Sequence, residues 1–135
     1  MTQILLVSPE KNNFKDLDAS FSENNITVQW TDTAKNAISI LSQRKFDLIL
    51  LHEQLQDMTG RKLVETIITI NAMLNCVVLS ALSKEDFHEA YEGLGVLMQF
   101  PLDPGKNEAD ALFNHLTRIR RISDQVKPLM GAGNQ

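Results

Sequence analysis

The sequence predicts an α/β fold: a doubly wound parallel sheet of five strands, with helices on both faces. Three observations predict it. Short apolar runs alternate with segments of helical periodicity five times along the chain. All but the second run are continuously apolar, as suits strands buried on both faces of a parallel sheet. Capping and turn residues separate the two kinds of segment. A repeated (βα) order of this kind calls for right-handed crossovers that place helices on both faces.

Ile4-Leu5-Leu6-Val7 is the first strand, and Phe14, Leu17 and Phe21 share the inner face of the helix after it. Asn24-Asn25 ends that helix. The second run, Ile26-Thr27-Val28-Gln29-Trp30, alternates apolar with polar, so one of its faces is less fully covered. Asp32 or Thr33 caps the second helix, whose inner face is Ala34, Ala37, Ile38 and Leu41. Leu48-Ile49-Leu50-Leu51 is the third strand, followed by a helix turning Leu63, Val64, Ile67 and Ile70 inward. Cys76-Val77-Val78-Leu79 is the fourth. Ser83 with Asp86 three residues later is an acidic capping box before a helix carrying Phe87, Ala90, Tyr91 and Leu94. Phe87 and Leu94 are expected inside, and Tyr91 at the rim with its hydroxyl in water. Gly93 to Gly95 ends this helix, and Val96-Leu97-Met98 is the fifth strand. Pro101, Pro104 and Gly105 break the chain before a last helix, with Leu112, Leu116 and Ile119 toward the core. Residues 1–123 form the domain. Residues 124–135, with Pro128, Gly131 and Gly133, read as a flexible tail or linker.

A chain of 135 residues fits one domain, and 43% apolar with 22% charged residues describes a packed globule rather than a disordered chain. A net charge of −4 leaves no whole-chain footprint for nucleic acid. The densest cationic cluster, Arg118, Arg120 and Arg121, is accounted for by a solvated helix C-terminus, where cations complement the helix dipole. The single cysteine, Cys76, precludes an intramolecular disulfide and reads as a small buried hydrophobe, which points to a cytoplasmic protein. No signal peptide is visible, and no apolar run approaches the roughly 20 residues that span a bilayer. His52, His88, His115 and Cys76 lie on four separate elements and match no zinc spacing.

In such sheets chemistry sits beyond the C-terminal ends of the strands. Function is therefore sought at Ser8 to Glu10, His52 to Gly60, Ser80 to Ser83 and Gln99 to Pro101. Glu10, Glu53 and Asp57 lie on loops at this edge and are the acids from which a residual cation site would be drawn.

Asp47-Leu-Ile-Leu-Leu-His52-Glu-Gln-Leu-Gln-Asp-Met58-Thr59-Gly60 resembles the third strand and following loop of response-regulator receiver domains, with the Met-x-Gly ending intact. Val78-Leu79-Ser80-Ala81 resembles that family's fourth strand, which ends in Thr or Ser then Ala. Gly93 to Leu102 resembles its fifth-strand motif, in which a lysine precedes a proline. Ile4-Leu5-Leu6-Val7 resembles its first strand. The similarity runs from residue 3 to about 123 and implies a flavodoxin-like (βα)5 fold with strand order 2-1-3-4-5.

The resemblance also implies a phosphoacceptor position, and there the sequence departs from the family. His52 stands where the aspartate belongs. Ser8-Pro9, with Glu10 beyond, replaces the acidic pair, and Phe100 before Pro101 replaces the lysine. Ser80 alone keeps the expected chemistry, and Leu97 stands at the aromatic position of the family's switch. Metal-assisted phosphoryl transfer to a carboxylate needs an aspartate, acidic Mg²⁺ ligands, a cation and a hydroxyl. Mg²⁺ binding is accordingly expected to be lost or weak, with no other cofactor. The first strand is followed by no glycine-rich phosphate loop, so flavin or nucleotide binding and an enzymatic role are not expected.

The implied function is a phosphorylation-independent protein–protein interaction module in bacterial two-component signalling, with an unidentified protein partner. A symmetric homodimer is one arrangement; neither nucleic acid nor membrane is expected as a partner. The interaction face suggested by the resemblance carries Phe87, Tyr91, Leu94 and Met98. The alternative is an unorthodox receiver, phosphorylated at a non-standard residue such as His52 or controlled by a small ligand.

Overall fold

The computed structural model describes residues 2–117. The strands β1 (Gln3–Val7), β2 (Thr27–Thr31), β3 (Leu48–His52), β4 (Asn75–Leu79) and β5 (Met98–Phe100) form one parallel sheet in the order β2-β1-β3-β4-β5. The expected fold class and strand order are both present. Register runs straight across the centre: Leu6 lies beside Leu50, Leu50 beside Val77, and Val77 beside Met98. The helices are α1 (Lys15–Glu23), entered through a 3-10 turn over Lys11–Phe14, then α2 (Ala34–Gln43), α3 (Gly60–Ile70) and α4 (Lys84–Ala90). The chain is helical again, as α5, over residues 106–117.

Strand alternation divides the interior into two cores. Leu5, Val7, Ile49, Leu51 and Val78 face Ala34, Ala37, Leu63, Val64 and Ile67 of α2 and α3. On the opposite face, Ile4, Leu6, Leu48, Leu50, Val77 and Leu79 pack with Phe14, Leu17 and Phe21 and with Ala109 and Leu112 of α5. Each fully buried Leu, Ile or Phe contributes about 1.5–3 kcal/mol relative to exposure, so β1, β3 and β4 anchor the fold. The edge strand β2 keeps Val28 and Trp30 only half-buried, in line with its alternating sequence.

Local capping follows the sequence. The Thr33 and Ser83 hydroxyls accept from the N–H groups of Asn36 and Asp86, both at 3.1 Å. Thr59 does the same for Lys62 at the start of α3, a cap that went unnoticed in the sequence. Asn25 takes φ 58°, a left-handed exit from α1.

Four expectations need correction. The fifth strand begins at Met98, not Val96, because Gly93 and Gly95 hold φ 80° and 68° and the chain is still turning there. Ile70 is 42% exposed, being the last residue of α3. Tyr91 is buried and stacks on Phe87, with ring centroids 4.6 Å apart, whereas Leu94 is only half-buried. The α4 helix ends at Ala90, which leaves Tyr91 folded back on its own preceding turn and Leu94 beyond it. Ile119, the arginine cluster and the tail lie outside the described residues. Among the described residues, no helix is long and apolar enough to cross a membrane.

Candidate functional site

The parallel register brings the ends of β1, β3, β4 and β5 to one edge of the sheet. Ser8 follows β1, His52 ends β3, Ser80 follows β4 and Phe100 ends β5.

Ser8 is fully buried. Its N–H donates to the Thr31 carbonyl at 3.2 Å. Its hydroxyl donates to the Glu10 carbonyl at 2.6 Å and accepts from the Trp30 indole Nε1 at 3.1 Å. The serine thus ties the chain after β1 to the edge strand. Pro9 is half-buried, and Glu10 is exposed.

His52 is half-buried, and its Nδ1 accepts from the Gln54 N–H at 3.0 Å. That bond assigns the lone pair to Nδ1, so the neutral ring carries its proton on Nε2.

The residue after it is held more tightly. The Glu53 N–H donates to the Leu79 carbonyl at 2.9 Å, one step beyond the β3 ladder. Its carbonyl accepts from the Gly60 N–H at 2.7 Å. A Cβ on Gly60 would lie 2.7 Å from the Glu53 Cα, so glycine is required by close backbone approach. The Met58-Thr59-Gly60 ending therefore acts on Glu53. The Glu53 carboxylate turns across the edge: Oε1 accepts from the Ser80 hydroxyl at 2.9 Å, and Oε2 from the Ala81 N–H at 2.7 Å. Ser80 Oγ in turn accepts from the Leu82 N–H at 3.0 Å, and the Ser80 N–H donates to the Phe100 carbonyl at 2.9 Å. The Gln99 side-chain amide donates to the Leu82 carbonyl at 2.8 Å. The loop after β4 is consequently fixed by side chains from two neighbouring strand ends.

Asp57, on the same β3–α3 loop, points the other way. Its Oδ1 accepts from the Ala34 N–H at 2.9 Å and its Oδ2 from the Lys35 N–H at 2.8 Å, in the first turn of α2. Desolvation pushes its pKa up. The bonds from Ala34, Lys35 and its own N–H, with the Lys35 charge, outweigh this and leave the carboxyl below its ordinary value.

Glu10, Glu53 and Asp57 are thus not brought together. Glu53 and Asp57 each engage both oxygens with separate intramolecular donors. Among the described residues, no three His, Cys, Asp or Glu side chains cluster as metal ligands.

Phe100 is 2% exposed and packs with the core residues of β1, β3 and β4, while Pro101 is exposed. Leu97 is half-buried just before β5, its N–H bonded to the Cys76 carbonyl at 2.8 Å. Of the expected interaction face, Phe87 and Tyr91 belong largely to the core, and Leu94 and Met98 are half-buried. Between α4 and β5 runs an apolar groove of about 670 Å³, lined by Phe87, His88, Tyr91, Val96, Met98 and Gln99 among others. Burial, assisted by the Glu53 charge and opposed by Arg61, pushes the Tyr91 hydroxyl up to about 12. Arg61 bridges α3 to the end of α4, donating to the Ala90 carbonyl at 2.6 Å.

Sequence reading missed Trp30 as the partner of Ser8, Asp57 as a cap, Gln99 as a brace and Ser80 as the partner of Glu53. For the last pair it is the observed register that sets the two residues together. His52 pairs with Leu79, so the residues that follow them, Glu53 and Ser80, stand side by side.

Residues 4–98 match the response regulator receiver domain, and the chain belongs to that family. It is accordingly a receiver domain of two-component signalling. Solved structures agree on the fold. A two-component response regulator from Clostridium difficile is 21% identical with a TM-score of 0.76, covering 90% of this chain and 97% of that one. The non-phosphorylated HemR receiver domain from Leptospira biflexa is 24% identical with a TM-score of 0.68, covering 90% and 94%. A CheY-like receiver domain protein from Methanospirillum hungatei is 15% identical with a TM-score of 0.76, covering 93% and 98%. No curated protein matches the sequence at a significant level.

Proposed function

We propose that this receiver domain works without aspartyl phosphorylation, as a non-enzymatic protein–protein interaction module in signal transduction. The observation that carries the reading is the end of β3. An imidazole stands at the strand end with Nδ1 already bonded, and the adjacent carboxylate is engaged by Ser80 and Ala81. A nucleophile for phosphoryl transfer needs an activating base or a metal beside it, and a free lone pair. Ser8 supplies a buried hydroxyl where Mg²⁺ would want carboxylates, and Phe100 supplies a buried ring where charge neutralisation would want a cation. Mg²⁺ binding is weak or lost on this reading.

The partner is a protein, and the α4–β5 groove, with half-buried Leu97 and Met98, is the surface we assign to it. The free, buried Cys76 suits a reducing compartment, and the cytoplasm is the location that goes with this reading.

The test is incubation with Mg²⁺ and acetyl phosphate, followed by intact mass and a thermal scan. The reading expects no added phosphoryl mass and an unchanged midpoint. A stoichiometric mass gain mapped to His52 or a nearby acid would replace it with an unorthodox phosphorylation switch.

A further inference from the structure

Two donors converge beside the end of β3, and both are already aimed. Ser80 Oγ accepts from the Leu82 N–H at 3.0 Å, so its one proton is turned outward, onto Glu53 at 2.9 Å. The Ala81 N–H points to the other carboxylate oxygen at 2.7 Å. The Ser80 N–H on the Phe100 carbonyl and the Gln99 amide on the Leu82 carbonyl hold this donor pair in place from behind. A rigid hydroxyl and amide spaced for two oxygens of one group make an oxyanion site, and charge-assisted bonds of this kind are the stronger ones.

We infer that this oxyanion site is permanently filled by the chain's own Glu53 carboxylate, a tethered ligand that holds the β4–α4 loop in its anion-bound arrangement. The inference rests on the reading that no phosphoryl group arrives at this edge. The tether is short and pre-set: the Glu53 N–H is bonded to Leu79, its carbonyl to Gly60, and Gly60 packs against its Cα. A ligand fixed in this way competes at a high effective concentration with any free anion. Among the described residues no lysine or arginine forms an ion pair with Glu53, and Phe100 is buried in the core. A free dianion therefore gains little from charge, and the tethered carboxylate keeps the site.

The test uses the whole chain, labelled with ¹⁵N and titrated with inorganic phosphate. In the native protein the Ala81 amide resonance is expected to stay fixed. In Glu53→Ala it is expected to move at once and then to titrate reversibly with phosphate, at concentrations lower than any native response by on the order of tenfold. Adding Ser80→Ala to that variant should abolish the titration. Glu53→Gln, which keeps the side-chain shape, should also displace the Ala81 resonance and lower the thermal midpoint, and it serves if the alanine variant does not fold. The inference is overturned if the Ala81 amide is unmoved in either variant, if native protein and Glu53→Ala respond to phosphate alike, or if the variant shows no phosphate response. These non-covalent readouts are separate from the covalent mass gain that would overturn the proposed function.

Discussion

The Trp30 indole donates to the Ser8 hydroxyl at 3.1 Å, and that hydroxyl has no exposure to solvent. One buried serine therefore joins the first strand's exit to the edge strand across 22 residues of sequence. Ser8→Ala should lower stability by about 1 kcal/mol per bond lost. Ser8→Asp places a carboxylate in a buried slot and should cost roughly 3 kcal/mol or more. Urea unfolding of both variants measures this, and an aspartate variant as stable as the native protein would show that the slot is open to water.

Gly60 cannot carry a side chain without moving Glu53. A methyl group there meets the Glu53 Cα at 2.7 Å and the His52 carbonyl at 3.0 Å, both backbone atoms with little room to yield. Gly60→Ala is expected to cost roughly 1–3 kcal/mol, as overpacking does. It should also shift the Ala81 amide resonance, which lies on another loop. A stability loss with no change at Ala81 would separate Gly60 from the Glu53 bridge.

The lowered pKa of Asp57 sets the sign of one pH effect. A carboxyl whose folded value is depressed contributes stability above its unfolded value, and loses that contribution as pH falls through the folded one. The Ala34 and Lys35 amides should therefore titrate with a midpoint below the ordinary aspartate value of 3.8. Asp57→Asn should flatten this part of the acid limb of the stability curve. Amides that shift at or above that value would contradict the assignment of Asp57 as the cap of α2.

Cys76 is 3% exposed, and burial pushes its thiol up to about 12, so neither access nor thiolate favours reaction. Alkylation of the native protein should run at least about a thousandfold slower than in the urea-unfolded chain, tracking the fraction transiently opened. Fast native labelling would mean that β4 opens locally.

The layered fold was legible because its evidence is local. The apolar runs of β1, β3 and β4, and Phe14, Leu17 and Phe21 at the start and along the inner face of the first helical segment, each lie within a few residues of sequence, and burial follows them closely. The misjudged positions depend on where a neighbouring segment ends. Ile70 overhangs the last turn of α3, and Tyr91 is folded in because α4 stops at Ala90. At the site, the sequence already set Ser8, His52 and Phe100 at the strand ends, where the structure holds them. The contacts of Glu53 and Asp57 could not: their partners lie 27 or 28 and 22 or 23 residues away, and nothing in local spacing marks a carboxylate as a cap for a distant amide.

The β3–α3 loop is pinned at both ends, by Asp57 to the first turn of α2 and by Glu53 to the loop after β4. Much of its conformational entropy has been surrendered during folding. A protein that docks against this edge meets a surface with little left to order, so its association rate is set by encounter and orientation rather than by a wait for the loop to rearrange.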